Sequence, residues 1–128
     1  MALVDEILRI DDPFVSNRRV TTRPATVGGK QVDEGQRVYL HWTAANRDPE
    51  TFADPDGFDP EANAEKNLVW GTGPHACPGK DLSMVEIGAF VEELLAVATV
   101  KASSQAGAER DEHPVGGWSS LPITLQRR

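Results

Sequence analysis

Apolar residues recur at helical spacing near the start of the chain. Leu3, Val4, Ile7, Leu8 and Ile10 are interleaved with polar positions, which predicts a short amphipathic helix over residues 2–10. Asp12-Pro13 ends it, because proline disfavours helical geometry in the residue before it. From Val20 to Trp42 the period shortens. Gly28-Gly29 and Asp33-Glu34-Gly35 mark turns, and Arg37-Val38-Tyr39-Leu40-His41-Trp42 alternates between two faces, so this stretch reads as a meander of short antiparallel strands. Residues 46–67 hold Pro49, Pro55, Pro60 and Gly57 without sustained periodicity and read as an ordered, irregular loop. A long helix is expected from Lys80 to Ala98, with Leu82, Val85, Ala89, Phe90, Leu94 and Val97 on one stripe for core packing. Residues 101–112 are polar and read as a loop, and Leu121-Pro122-Ile123-Thr124-Leu125 as a closing strand. This order makes an α+β fold: short N-terminal helix, antiparallel β-hairpins, irregular meander, cysteine loop and one long helix, in a single domain over residues 1–128.

Composition narrows the surroundings in which such a domain works. With 39% hydrophobic and 26% charged residues among 128, the chain has the means to fold. The net charge of −7 is concentrated between Asp48 and Glu65, where seven acids occur with no Lys or Arg. A nucleic-acid partner would demand a basic face, so that class is excluded. No apolar run reaches the roughly 20 residues of a membrane helix. The first residues also lack the basic stretch of a secretory signal. Cys77 is the single cysteine, which excludes an internal disulfide and any multi-cysteine zinc or iron–sulfur site built from this chain. It fits a reducing compartment, and the expected location is the cytoplasm.

The chemistry concentrates in Trp70-Gly71-Thr72-Gly73-Pro74-His75-Ala76-Cys77-Pro78-Gly79. A cysteine that closes a Gly-rich loop and precedes a long helix sits where backbone N–H groups and the positive helix end favour a thiolate. Such a thiolate is a metal ligand or a nucleophile; the alternative is a buried, inert side chain. Haem iron suits a lone cysteine, since one thiolate suffices for proximal ligation whereas zinc needs three or four ligands. Gly73 and Gly79 would let the backbone approach a flat ring, and His75 could donate to a ring carboxylate or simply to its own loop. His41 and His113 are assigned to structure or solvent.

At these residues the chain resembles the cytochrome P-450 family of haem-thiolate monooxygenases. Trp70, Gly73, His75, Cys77 and Gly79 fill the family's cysteine-loop positions, with Trp70 where the family usually has Phe, and Leu82 and Glu86 match the helix that follows. Glu6-Ile7-Leu8-Arg9 looks like the family's Glu-x-x-Arg pair, a structural pair whose members share a helix face. Arg19 stands where the family often has an arginine for a haem propionate, with an ordinary exposed strand arginine as the alternative. Asn46-Arg47-Asp48-Pro49, Phe52, Pro55 and Phe58-Asp59-Pro60 resemble the segment leading to the family's meander, and Pro114-Val115-Gly116-Gly117 with Leu121-Pro122 its last strands. The family's pair normally gains an arginine as third partner, and here that place is Ala62.

The resemblance covers only the C-terminal third of the family's length. It implies a haem-binding portion of a monooxygenase with Cys77 as proximal iron ligand, Trp70, Gly73, His75, Gly79 and Arg19 around the haem, and electrons from a ferredoxin or flavoprotein. The distal half of the pocket has no counterpart, so the chain alone is expected to be inactive. It is expected to associate, as a homodimer or with a complementing N-terminal chain. The alternative function is a truncated remnant or interaction module without haem.

Overall fold

The computed structural model describes residues 1–103, 107–111 and 116–128. The sequence reading of His113 and of Pro114-Val115 lies outside the described residues. Helix α1 (Ala2–Ile10) forms where the apolar period predicts it. Strand β1 (Ser16–Val20) pairs antiparallel with β4 (Arg37–His41), enclosing the hairpin of β2 (Ala25–Val27) and β3 (Lys30–Val32). Gly28 and Gly29 both adopt positive φ, +55° and +77°, as a two-residue hairpin turn of the I′ type requires. The expected last strand residue, Trp42, instead opens the short helix α2 (Trp42–Ala45), because His41 Nδ1 accepts the Ala44 amide at 3.2 Å and caps it.

Residues 46–72 are turns and irregular chain, as expected, and lead to a single 3₁₀ turn at Gly73–His75 and then to α3 (Lys80–Val97). Here the sequence reading needs two corrections. The helix passes directly into β5 (Ala98–Ala102), which pairs with β8 (Ile123–Arg127), and Glu109–Arg110 forms β6 against β7 (Trp118–Ser120). The 101–112 stretch is thus partly strand; its polar side chains are exposed on two-stranded ladders, which bury neither face and leave no alternation to read. The closing strand also starts after Leu121-Pro122, since proline cannot donate to a ladder.

The second correction concerns α3. Met84 and Gly88 are buried and Ser83, Ile87, Val91 and Leu94 half-buried, whereas four residues of the expected core stripe, Leu82, Val85, Phe90 and Val97, are 64, 61, 68 and 58% exposed. The helix is apolar on nearly every side, so its period cannot select the inward face. Gly88 is buried there, and a Cβ at that position would lie 3.3 Å from Met1 Sδ, a tight contact that a small shift of the Met1 side chain relieves.

The inward face of α1 buries Val4 beside two charged residues, Glu6 and Arg9. Arg9 is fully buried and uses all five of its N–H donors. Nε and Nη2 clasp Glu6 at 2.7 and 2.8 Å, Nη1 donates to the carbonyls of Asn46 and Pro55, and Nη2 also donates to Gly57 O, each of these at 2.8 Å. Its guanidinium lies 4.8 Å from the ring centroid of the fully buried Phe52. Glu6 Oε1 further accepts the Asp59 amide at 3.0 Å and Asn63 Nδ2 at 2.8 Å. Asn63, one residue beyond Ala62, therefore supplies the third partner that the sequence reading found missing. At the far end of α1, Asp11 accepts Trp118 Nε1 at 2.8 Å and the Arg110 guanidinium, tying the β6–β7 hairpin to the helix.

Burial works to raise the Glu6 carboxyl, but the hydrogen bonds from Arg9, Asp59 and Asn63 and the Arg9 charge outweigh it and hold the group below the ordinary carboxylate range. A depressed folded value means stability that is present above the unfolded value of about 4.3 and is lost as pH falls through the folded value. In Glu6→Gln the denaturation midpoint should fall at neutral pH, and its gap to the parent should close below about pH 4. Asp12, raised by burial, acts in the opposite sense in both proteins and cancels from the difference. Arg9→Met, which strands Glu6 and three carbonyls, should cost about 3–5 kcal/mol in urea titration.

Candidate functional site

Cys77 closes its loop through the backbone. Its amide donates to Trp70 O at 2.8 Å, Ala76 N to Gly73 O at 3.1 Å, and Lys80 N to Cys77 O at 3.3 Å. Gly71 and Gly73 take positive φ, +71° and +68°, which lets the chain from Trp70 to Cys77 turn within a short span. The thiol itself is exposed and stands just before the start of α3.

The loop borders a cavity of about 370 Å³ lined by the apolar Leu8, Phe14, Leu40 and Val69, by Trp42 and Trp70, and by Arg19, His75 and Cys77. Four of the residues singled out in the sequence, from β1 to the cysteine loop, thus meet on one concavity. Arg19 is both an exposed strand residue and part of this wall; its Nη1 donates to Arg18 O at 2.8 Å. Gly73 and Gly79 do not line the cavity. Gly71 and Thr72 do. Gly73 serves the 3₁₀ turn, and Gly79 lies behind the sulfur, where a Cβ would meet Cys77 Sγ at 3.8 Å. Glu6 and Arg9 are outside the cavity and support it from beneath the meander.

That support runs through Asn46, which the sequence reading placed only within the segment leading to the meander, and through Asn67, which it missed. Asn46 Nδ2 donates to Asn67 Oδ1 at 3.0 Å, and its Oδ1 accepts the Leu68 amide at 2.7 Å. Asn67 Oδ1 accepts the Val69 amide at 2.9 Å, while its Nδ2 donates to Asp5 O at 2.8 Å. Trp70 Nε1 donates to Asp5 Oδ1 at 3.3 Å. Asparagines buried at sequence separations of 21 to 62 residues carry no local pattern. Among the described residues no group of three His, Cys, Asp or Glu is placed to hold a metal ion, and no helix is long and apolar enough to cross a membrane.

A cysteine loop feeding a long helix beside an indole-walled, apolar cavity is the arrangement that the resemblance to haem-thiolate proteins implies. The cytochrome P-450 family model matches residues 1–126, and the chain belongs to that family. It is 38% identical over 123 residues to a cytochrome P-450 of Mycobacterium tuberculosis, covering 95% of this chain and 28% of that protein. It is 36% identical over 127 residues to cytochrome P-450-terp of a Pseudomonas species, covering 98% and 29%. A solved Mycobacterium marinum cytochrome P-450 in the substrate-free form superposes with a TM-score of 0.91 at 28% identity, covering 98% of this chain and 34% of that one. The chain spans about a third of these relatives and matches their C-terminal portion.

The two loop glycines should respond differently to a methyl group. Gly71→Ala meets a left-handed backbone and His75 O at 3.6 Å, and should lose roughly 1–2 kcal/mol, a fall of several degrees in the thermal midpoint. Gly79→Ala meets only ordinary contacts at 3.8 and 4.0 Å, and its midpoint should stay within about 0.5 kcal/mol of the parent.

Proposed function

We propose that this chain is the haem-binding portion of a cytochrome P-450 monooxygenase, with the Cys77 sulfur as the proximal ligand of the iron. The observation that carries this reading is the gathering of one thiol, two cationic or polar side chains and two indoles on a single apolar cavity. That donor set suits a flat apolar ring with a thiol-seeking metal and carboxylate substituents. Leu8, Leu40, Val69 and the two indoles would exclude water from the ring, and Arg19 and His75 would take its carboxylates. When bound, a haem with a thiolate ligand supplies activation of dioxygen for insertion into a substrate. The reducing cytoplasm would keep the exposed Cys77 as a free thiol.

Substrate selection and proton delivery on the opposite side of the ring would come from the two-thirds of the family that lies outside this match, and electrons from a ferredoxin or flavoprotein. The exposed apolar face of α1 and α3, with Leu3, Ile7, Leu82, Val85 and Phe90, supports a complementing polypeptide as the natural occupant. Without it, a second copy of the chain would cover that face.

Haemin reconstitution tests the ligand. The reduced, carbon-monoxide-treated chain should show the thiolate-type Soret band, and Cys77→Ser should abolish it with unchanged circular dichroism. A band that survives in Cys77→Ser, or that is absent from the parent, would overturn the reading. Light scattering at micromolar concentration tests association. The parent should exceed its monomer mass of 13.9 kDa and Phe90→Glu should return to it.

A further inference from the structure

The five residues that join α1 to β1 are shared between two cavities. Pro13 and Phe14 line the cavity that holds Cys77, whereas Asp11, Asp12 and Val15 line a second one of about 340 Å³. One thickness of chain separates two hollows. A segment packed solidly on both faces stays where it is; this one has free volume beside it, so contacts from elsewhere must fix it.

Those contacts come from the β6–β7 hairpin. Gly116 N donates at 3.1 Å to Pro13 O, the oxygen of the very peptide that joins the two wall residues Pro13 and Phe14. The approach is so close that a Cβ on Gly116 would overlap the Asp12 carbonyl, a main-chain group with no rotamer through which to yield. Asp11, the first residue of the linker, accepts Trp118 Nε1 at 2.8 Å and the Arg110 guanidinium, which itself lies 3.9 Å from the Trp118 ring centroid. Asp12 Oδ2 and Arg47 Nη1, both on residues of the second cavity, are buried without a hydrogen-bond partner. Unpaired buried polar atoms are unfavourable, so the linker gains little from its own side chains in this setting and depends on the hairpin.

We propose that the linker from Asp11 to Val15 is a movable partition between the two cavities, and that Gly116, Arg110 and Trp118 are positioning residues that hold it in place. None of the three lines the first cavity, so the hairpin sets the width of that cavity through Pro13 and Phe14 without touching what binds there. Released, the partition yields toward the second cavity when a bulky apolar guest enters the first. The coupling runs both ways, since a guest that pushes against Phe14 loosens the hairpin by the same factor. That the guest is haem rests on the reading above; the partition does not.

The test places 4-fluorophenylalanine at the chain's four phenylalanines and identifies the Phe14 fluorine signal by its loss in Phe14→Leu. Gly116→Ala should push hairpin and linker apart, and Arg110→Met should remove the pair with Asp11 while keeping a stem over Trp118. Each should shift or split the Phe14 signal and leave the other three in place. Gly28→Ala, strained at a φ of +55° in a turn that lines neither cavity, supplies a loss of stability without any link to the partition, and its Phe14 signal should match the parent's. Titration with toluene and with naphthalene, neither of which can ligate a metal, then reads the cavity. If the yielded partition rises from about one molecule in ten to about half, a guest that needs it gains about fivefold in affinity. Naphthalene should show that gain in Gly116→Ala and Arg110→Met, and toluene little. Should Gly116→Ala fail to fold, Arg110→Met decides. An unmoved Phe14 signal or an unchanged preference between the two guests in Arg110→Met would overturn the proposal, as would the same changes in Gly28→Ala. If no variant takes up haemin while the fluorine and guest pattern holds, the haem reading falls and the partition stands.

Discussion

The Arg9 guanidinium organises this fold. A planar cation with five donors, removed from water, is tolerable only if each N–H finds an acceptor, and the positions of those acceptors then cease to be free. Glu6, Asn46 O, Pro55 O and Gly57 O are spread over more than fifty residues, and a chain segment without regular secondary structure is shaped by having to meet them. A helix or a sheet satisfies its backbone internally; the 46–67 segment makes local turns of its own and sends four further backbone groups to α1. Asn46 and Asn67 then extend the same ordering to Leu68, Val69 and Trp70, which is how a charge pair on the first helix determines where the cysteine loop begins.

What could be read from the sequence follows the range of the interactions. Helix α1, the Gly28-Gly29 hairpin and α3 are local, and their period or turn residues announce them. The cysteine loop is also local, and its spacing led to Cys77, His75 and Trp70, which do share a wall. Asn63 was invisible because its value lies in reaching Glu6 across 57 positions, and a buried asparagine looks like any loop asparagine in a list of residues. The inward face of α3 was misread for a different reason. Apolar side chains surround most of that helix, so hydrophobicity cannot rank its faces. Gly73 serves the 3₁₀ turn, and a Cβ at Gly79 would come within contact distance of the Cys77 sulfur.

The chain exposes apolar surface on α1 and α3 and spans about a third of its relatives. Membership of the cytochrome P-450 family over residues 1–126 accounts for about a third of each related chain, and the described residues leave many large hydrophobic side chains in water. A helix that is apolar on two sides belongs between two layers, and this chain supplies one of them. Under the proposed reading, the cavity faces a ring and the exposed face a protein partner.

A buried centre built from Glu6, Arg9, Asn46, Asn63 and Asn67 beside Val4, Phe52, Met84 and Ala98 has a thermodynamic signature of its own. Unfolding such a centre hydrates amides and ions alongside hydrocarbon, and the two contribute to the heat capacity with opposite signs. The increment per residue should therefore fall below the ~12–15 cal/mol/K usual for globular proteins. A small increment flattens the curve of stability against temperature. Cooling, which weakens hydrophobic attraction, would take little from a fold held by directed hydrogen bonds, so its stability should extend unusually far into the cold.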